Sequence, residues 1–205
     1  DNHLILVDLQ NMNITGKGMK FRWLNNAGFE MELSSGKHLL VDPWLDEAQI
    51  YPISINEIER ADYVLLTHTH DDHSDSIGRI QKRFPQAAIF VGDLSAEALC
   101  KEYDLNVERL FRIRGGEEYE FDDVKIEVIS ARHTESKGGN YWDRGYCIQK
   151  DGSRRETMWY GSLEMYNFRI TDVNGYRAVV WGGMTTEEQI HRMEKYRGNE
   201  IAFMH

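Results

Sequence analysis

Short apolar runs and polar turns alternate along most of the chain. Strand-like runs are predicted at Phe21–Leu24, Phe29–Leu33, His38–Val41, Tyr63–Leu66, Ala88–Val91, Val107–Ile113 and Val124–Ile129. In the last run, Val124, Ile126 and Val128 alternate with polar residues, which predicts a strand with one buried face.

Between these strands, apolar residues recur at the spacing of an α-helix. The apolar positions of three predicted helices are Ile77, Ile80 and Phe84 in the first, Ala96, Leu99, Cys100 and Tyr103 in the second, and Ile190 and Met193 in the third. Ser74 or Asp75 would cap the first helix, Ser95 the second, and the capping box Thr185–Glu188 the third.

The second half of the chain adds two strands, around Met158–Ile170 and Arg177–Trp181, after a polar, glycine-rich loop at 134–157. A last strand is predicted at Ile201–His205, while residues 1–19 are ambiguous and are treated as an N-terminal extension. Strands alternating with helices indicate an α/β protein, and the hairpins predict mixed sheets.

Composition and charge narrow the class of protein. The 205 residues are 41% hydrophobic, so we expect one globular domain over residues 1–205. A formal net charge of −10 disfavours nucleic acid as a partner, because an acidic surface repels a phosphate backbone. The two cysteines have no motif spacing, which favours a reducing, cytoplasmic compartment. No signal-peptide pattern or long apolar run is found, so no membrane association is expected.

The highest density of potential metal-binding side chains lies in the segment Thr67–Asp75. Three histidines and three carboxylates fall in this segment, directly after the predicted strand Tyr63–Leu66. His68 and His70 are two residues apart, so in an extended segment they point the same way and can bind one ion. Imidazole suits zinc, iron or nickel, and Asp72 adds a harder oxygen ligand. We therefore expect one or two divalent transition-metal ions here.

The same segment resembles the signature of a known superfamily. His68–His73 matches the complete His-x-His-x-Asp-His pattern of the metallo-β-lactamase fold superfamily. Leu24–Phe29 and Leu40–Trp44 are similar to the "GHAGF" and "IDP" stretches of the branch that contains the ascorbate-6-phosphate lactonase. The resemblance covers roughly residues 20–205. It implies an αββα sandwich of two mixed sheets flanked by helices.

The resemblance also implies a first metal site. His68, His70 and His133 correspond to its three histidines, and His133 follows the predicted strand Val124–Ile129 as the family pattern requires. Zinc is the ion expected first, with manganese, iron or nickel as alternatives.

A second metal site would begin at Asp72 and His73, and Asp72 would orient the attacking water or carry its proton, as the resemblance implies. Asp42 and Asp75 would orient ligand histidines. These assignments extend the predicted site beyond the three histidines.

The sequence departs from the family pattern where an aspartate normally bridges two metals. If Arg177–Trp181 is the strand before it, Gly183 stands in its place. In a second alignment Ser162 does, and Glu164 is then the candidate substitute. We prefer the first alignment, because a predicted helix opens at Thr185 as the family expects.

Two other departures concern the hairpin and the end of the chain. Asn26 replaces a histidine common in the branch, and the chain stops at His205, before the family's final histidine. His205 is not expected to be that ligand. An apolar strand without a partner at the end of the chain favours an incomplete C-terminus.

Together these features predict a metal-dependent hydrolase acting on an ester, lactone or phosphoester in a small molecule. Tyr141, Trp142 and Arg144 of the loop 134–157 would shape its pocket, or else lie on the surface. The alternative is a non-catalytic metal-binding or ligand-sensing domain with a degenerate second metal site. Nuclease action is disfavoured by the charge, and a homo-oligomer is left open.

Overall fold

The computed structural model describes residues 6–8, 13–15, 18–46, 53–133, 147–148, 154–155, 164–183, 187–196, 198 and 201–204. Within these ranges the chain forms two mixed β-sheets that face each other and carry helices on their outer sides. This confirms the αββα sandwich expected from the sequence.

The first sheet has eight strands that lie side by side in chain order. They are β1 (Leu6–Asp8), β2 (Asn13–Thr15), β3 (Lys20–Asn25), β4 (Gly28–Glu32), β5 (His38–Val41), β6 (Tyr63–Leu65), β7 (Ala88–Gly92) and β8 (Leu110–Ile113). The first five pair antiparallel, whereas β5 to β8 pair parallel. Parallel neighbours need crossovers, and helices supply two of them. They are α1 (Asp71–Ser74) and α2 (Ile77–Arg83) after β6, and α3 (Ala96–Tyr103) after β7.

The second sheet contains five strands from the later part of the chain. They are β9 (Glu118–Glu120), β10 (Val124–Ala131), β13 (Met165–Asp172), β14 (Arg177–Trp181) and β15 (Ile201–Met204), and a separate small pair is β11 (Cys147–Ile148) with β12 (Arg154–Arg155). The order across the sheet is β15, β14, β13, β10, β9. Helix α4 (Glu187–Glu194) leads into β15, which pairs parallel with β14. The terminal strand therefore has a partner, contrary to the expectation of an unpaired strand.

The alternation of apolar residues explains how the layers pack. The core between the two sheets includes Phe21, Met31, Leu65, Phe90, Val124, Ile126, Val128 and Phe168. A second core covers the outer face of the first sheet with α2 and α3, and includes Leu40, Val64, Ile77, Ile80, Ile89 and Leu99. A third joins Ile129 and Val179 to Met193 and Tyr196, on and after α4. Of the helices described, none has the length and apolar character that crossing a bilayer requires.

Four sequence predictions about local structure are wrong in detail. The residue before α2 is Ser76, so neither Ser74, which lies in α1, nor Asp75, which ends α1, caps α2. Val107–Arg109 is a 3₁₀ turn rather than part of a strand, because the Asn106 side chain accepts the N–H of Glu108 at 3.0 Å and caps the turn. Ile190 is 46% exposed, so the apolar face of α4 is formed by Met193 without it. Ser95 precedes α3, but its hydroxyl makes no capping bond to that helix.

Other predictions fall partly outside the described residues. The strand predicted around Met158–Ile170 is observed only from Met165, since residues 156–163 are outside the described ranges. The predicted capping box also lies outside them for Thr185 and Thr186, although α4 follows at Glu187 as expected.

Asp123, just before β10, ties the two sheets together at the end of the strands opposite His133. Its buried carboxylate accepts hydrogen bonds from Lys37 Nζ at 2.9 Å, from the Tyr63 hydroxyl at 2.8 Å and from the Ser35 hydroxyl at 3.1 Å. Burial raises the pKa of Asp123, but the hydrogen bonds from Lys37, Tyr63 and Ser35 outweigh it, so the pKa lies below its usual value. The carboxylate is therefore a folded-state contact that acid should remove.

We expect Asp123→Asn to lower the free energy of unfolding by about 1–3 kcal/mol near neutral pH, because the amide cannot accept all three hydrogen bonds. The folded-state pKa is lower than the unfolded value of about 3.9, so this contribution is complete above that value. It is lost as the pH falls through the folded-state pKa. Urea unfolding of the wild type, Asp123→Asn and the exposed control Asp122→Asn over a series of acidic pH values tests this. A difference that grew as the pH fell, or an equal loss in the control, would contradict it.

Candidate metal centre

The ends of β6 and β10 bring the predicted metal ligands to one edge of the two sheets. After β6 the chain bends at Thr67 and runs to His70, which is extended (φ −66°, ψ 152°) and directly precedes α1. β10 ends two residues before His133. The backbone N–H of Tyr166 in β13 donates to the carbonyl of Thr67 at 2.9 Å, which joins the sheets beside this segment.

His68, His70 and His133 lie together, although His133 comes from the other sheet. Their nearest donor atoms all lie within 4.8 Å of one another. Nε2 of His68 is 3.0 Å from Nδ1 of His70, and the ring centroid of His133 is 4.8 Å from that of His68 and 4.6 Å from that of His70. His68 and His70 are buried and His133 is half-buried. Two nitrogens that bind one ion at about 2.0–2.1 Å stand about 3 Å apart, so this donor set fits a shared transition-metal ion.

Asp72 and His73 form a second pair beside the three histidines. The ring centroids of His68 and His73 are 3.9 Å apart, and Oδ1 of Asp72 lies 3.7 Å from Nε2 of His73. The Asp72 side chain is 45% exposed, and its Oδ2 accepts a hydrogen bond from the Asn26 amide at 2.8 Å. The structure therefore groups the five predicted ligands as a close triad and an adjacent pair.

Asp42 lies directly behind the histidine segment and is fully buried. It accepts the backbone N–H of Thr67 at 2.8 Å and the Thr67 hydroxyl at 2.6 Å, and it is 2.9 Å from Nδ1 of His73. Burial lowers the pKa of His73, but the adjacent Asp42 carboxylate outweighs it and raises the pKa above its usual value. Asp42 thus contacts a predicted ligand histidine.

Asp75, the other residue expected to orient a histidine, lies at the end of α1. Its Oδ1 accepts a hydrogen bond from the Tyr103 hydroxyl at 3.2 Å. This contact links α1 to α3, and an orienting role for Asp75 stays a prediction.

The two positions weighed for a bridging carboxylate have different surroundings. Gly183 follows β14 beside the strand that carries His133, and a Cβ there would come within 3.0 Å of the Cβ of Ala131. Ser162 lies outside the described residues. Glu164 is buried, and its two carboxylate oxygens accept four hydrogen bonds from neighbouring protein groups. Glu164 would have to give up these bonds to bind a metal.

Two residues that support the site, Thr67 and Asn167, were not singled out from the sequence, and a third, Glu164, was considered there only in a different role. Thr67 joins Asp42 to His68, with 3.0 Å between Oγ1 and Nδ1. The buried amide oxygen of Asn167 accepts the N–H groups of Gly182 and Gly183 at 2.9 and 3.2 Å. Glu164 was weighed only as a metal ligand. The contacts of Thr67 with Asp42 and of Asn167 with Gly182 join residues that are far apart in the sequence, so spacing alone could not reveal them.

Some predicted site residues lie outside the described residues. Tyr141, Trp142 and Arg144 belong to the segment 134–146, and His205 is the last residue of the chain.

Comparison with known proteins agrees with the histidine pattern. The family described as "Beta-lactamase superfamily domain" matches residues 20–161. A "UPF0173 metal-dependent hydrolase" from Aeropyrum pernix is 34% identical over 96 residues, which cover 45% of this chain and 39% of the relative. A protein of the same name from Sulfurisphaera tokodaii is 28% identical over 116 residues, which cover 56% of this chain and 51% of the relative.

A solved structure shares the fold. It is described as "a possible metal-dependent hydrolase from Veillonella parvula", with a TM-score of 0.62 at 12% identity, covering 91% of this chain and 71% of the other. The chain spans about half the length or less of the curated relatives named above. These matches do not confirm the ascorbate-6-phosphate lactonase branch. The match over residues 20–161 and the shared fold show that the chain belongs to the metallo-β-lactamase superfamily.

Proposed function

We propose that this chain is a metal-dependent hydrolase whose ion is held by His68, His70 and His133. The observation that carries the proposal is the convergence of three imidazoles from two sheets, with 3.0 Å between the nearest donor atoms of His68 and His70. Nitrogen donors in a buried setting favour zinc, with manganese, iron or nickel as alternatives. The names of the curated relatives support the same reaction class.

Asp72 is the residue proposed to act on the attacking water. Asn26 holds one of its oxygens, and the other lies on the side of His73. When bound, a transition-metal ion supplies Lewis acidity that lowers the pKa of its water towards about 7. Asp72 would orient the attacking water and accept its proton as the water oxygen bonds to the carbonyl or phosphoryl centre of an ester, lactone or phosphoester. The bond from that centre to the leaving oxygen then breaks, and Asp72 returns the proton to the leaving oxygen.

The substrate is proposed to be a small molecule. The net charge of −10 disfavours a polyanionic nucleic acid, and the cysteine usage favours the cytoplasm as the location. Lactones are included among the candidates because of the two stretches around Asn26 and Asp42 that resemble the lactonase-containing branch.

A second hypothesis is a metal-binding or ligand-sensing domain without turnover. It is favoured by the surroundings of the bridging position, where Gly183 has no side chain and the Glu164 carboxylate is already occupied by four donors. A site that holds one ion firmly needs neither a bridging carboxylate nor a complete second site.

One experiment separates the two hypotheses. The purified full chain is stripped with a chelator, reloaded separately with Zn²⁺, Mn²⁺, Fe²⁺ or Ni²⁺, and assayed on a lactone, a carboxylic ester and a phosphodiester. We expect about one firmly bound ion per chain and turnover of at least one substrate class. Metal binding without turnover of any class would favour the second hypothesis, and a chain that binds no metal would contradict both.

For a substrate that is turned over, we expect Asp72→Asn to lower kcat by about 10²–10⁴-fold, because the amide cannot accept the proton of the water. The ion held by the three histidines should remain, since Asp72 is not part of that close triad. Steady-state kinetics and metal content measure both effects. The matched control is Asp104→Asn, an exposed position at the end of α3. Unchanged kcat in Asp72→Asn would remove Asp72 from the mechanism.

A further inference from the structure

The buried residues Asp42 and Thr67 form a hydrogen-bonded pair behind the candidate metal centre. Both side chains are fully shielded from solvent. Asp42 Oδ1 accepts the backbone N–H of Thr67 at 2.8 Å, and Asp42 Oδ2 accepts the Thr67 hydroxyl at 2.6 Å. The Asp42 carboxylate therefore acts as an acceptor on both of its oxygens, and it holds Thr67 through both the backbone N–H and the hydroxyl.

The direction of these bonds determines what Thr67 offers to His68. A hydroxyl carries one proton, and that of Thr67 is donated to Asp42. The oxygen of Thr67 is also 3.0 Å from Nδ1 of His68, so it can take part in this second bond only as the acceptor. Nδ1 of His68 must then carry the proton. A neutral imidazole has a single N–H, so Nε2 is left with its lone pair.

Nε2, the nitrogen of His68 that carries no proton in this tautomer, is the one that faces the site. Nε2 of His68 lies 3.0 Å from Nδ1 of His70, inside the group of three histidines. Free histidine prefers the opposite tautomer, with the proton on Nε2, and that proton would occupy the position needed by an ion. Asp42 is also 2.9 Å from Nδ1 of His73, so the same carboxylate faces the corresponding nitrogen of a second histidine.

We propose that Thr67 is a positioning residue for His68. Because its hydroxyl donates its proton to Asp42, its oxygen accepts a hydrogen bond from Nδ1 of His68 and holds that ring in the Nδ1–H tautomer. His68 then presents the lone pair of Nε2 to the site before any ion arrives. The consequence for metal affinity rests on the metal site proposed above. The tautomer itself does not, because it is a property of the metal-free chain.

The tautomer can be read directly by nitrogen NMR. The full chain is labelled with ¹⁵N in the histidine rings and stripped of metal. Its ¹⁵N spectrum is recorded at about pH 8, above the ordinary histidine pKa of about 6.5. The His68 signals are assigned by their loss in His68→Ala. We expect a protonated Nδ1 and an unprotonated Nε2 in the wild type. An Nε2–H tautomer of His68 in the wild type would overturn the proposal.

Variants of Thr67 separate this role from simple packing. Thr67→Val keeps the shape but removes the hydroxyl and should move the proton of His68 towards Nε2, whereas Thr67→Ser should keep the wild-type tautomer. Thr67→Ala replaces the valine variant if that variant does not fold. Thr171→Val, on β13 at the end distant from the site, is the matched control. An unchanged tautomer after loss of the hydroxyl would also overturn the proposal.

Titration with Zn²⁺ against a chromophoric chelator gives the second readout. Loss of the Thr67 hydroxyl should weaken Zn²⁺ binding about 10–100-fold, as expected when a group that orients a ligand histidine is removed. Thr67→Ser should bind like the wild type. A wild type that binds no Zn²⁺ would contradict the proposed metal site, while the NMR result would still decide the role of Thr67. Equal affinities in the wild type and Thr67→Val would contradict an effect of the tautomer on metal binding.

Discussion

Replacing His68 and His70 together with alanine is expected to abolish metal binding while the chain stays folded. The two side chains provide the closest pair of donor atoms, 3.0 Å apart, and His133 alone cannot hold an ion firmly. The loss of affinity for Zn²⁺ should exceed the roughly 10–100-fold effect typical of residues that only orient a ligand. Hydrolysis of any substrate that the wild type turns over should disappear with the metal.

The measurement is metal content after dialysis, together with circular dichroism to show that the fold persists. His191→Ala is the matched control, because His191 is 86% exposed on α4 and belongs to no predicted metal site. Retention of one firmly bound ion in the double variant would mean that the metal is held elsewhere on the chain.

The second large effect is expected from Glu164→Ala, which should lower the free energy of unfolding by about 3–4 kcal/mol. Oε1 of Glu164 accepts the N–H of Leu94 at 2.9 Å and the Tyr166 hydroxyl at 3.0 Å. Oε2 accepts both the N–H and the hydroxyl of Ser95 at 2.9 Å. Removing the carboxylate leaves buried donors unsatisfied next to the start of α3, at about 1–3 kcal/mol for each one that water cannot reach.

The surroundings of Glu164 explain why the more conservative substitution Glu164→Gln should also lower the free energy of unfolding. Gly92 has no room for a side chain, because a Cβ there would overlap the Glu164 carboxylate. Glu164→Gln keeps one acceptor oxygen but turns an amide N–H₂ towards groups that are themselves donors, so an intermediate loss is expected. Urea unfolding of these variants is compared with Glu97→Ala, an exposed glutamate in the first turn of α3. A loss no larger than that of Glu97→Ala would show that Glu164 does not anchor the helix.

The strands and the layer order of this protein could be predicted from the sequence because each buried strand leaves a local pattern. In β10, Val124, Ile126 and Val128 point to one core while Ile129 points to another, as alternation requires. Two of the errors occurred where a side chain overrides that pattern. Asn106 caps a 3₁₀ turn where the sequence predicted the first residues of a strand. At the N-terminus of α3, the Ser95 hydroxyl was predicted to cap the helix, but the Glu164 carboxylate accepts the N–H of Ser95 instead.

The candidate site was predictable to the extent that its residues are close in sequence or match a known signature. The group His68–His73 is local, and His133 was expected from its place after a strand. Asp42 was expected from the resemblance, and the structure places it against His73. Thr67, Glu164 and Asn167 were not predicted in their observed roles, because their contacts depend on how β5, β6, β13 and β14 come together at one edge.

The most direct test of the metal site is an anomalous-scattering map from crystals of the full chain grown with Zn²⁺, recorded at the zinc absorption edge. We predict a peak about 2.0–2.1 Å from Nε2 of His68, with Nδ1 of His70 and a ring nitrogen of His133 completing the protein ligands. A second, weaker peak beside Asp72 and His73 is compatible with the account. The absence of a peak among His68, His70 and His133, or a zinc ion bound only at other residues, would contradict it.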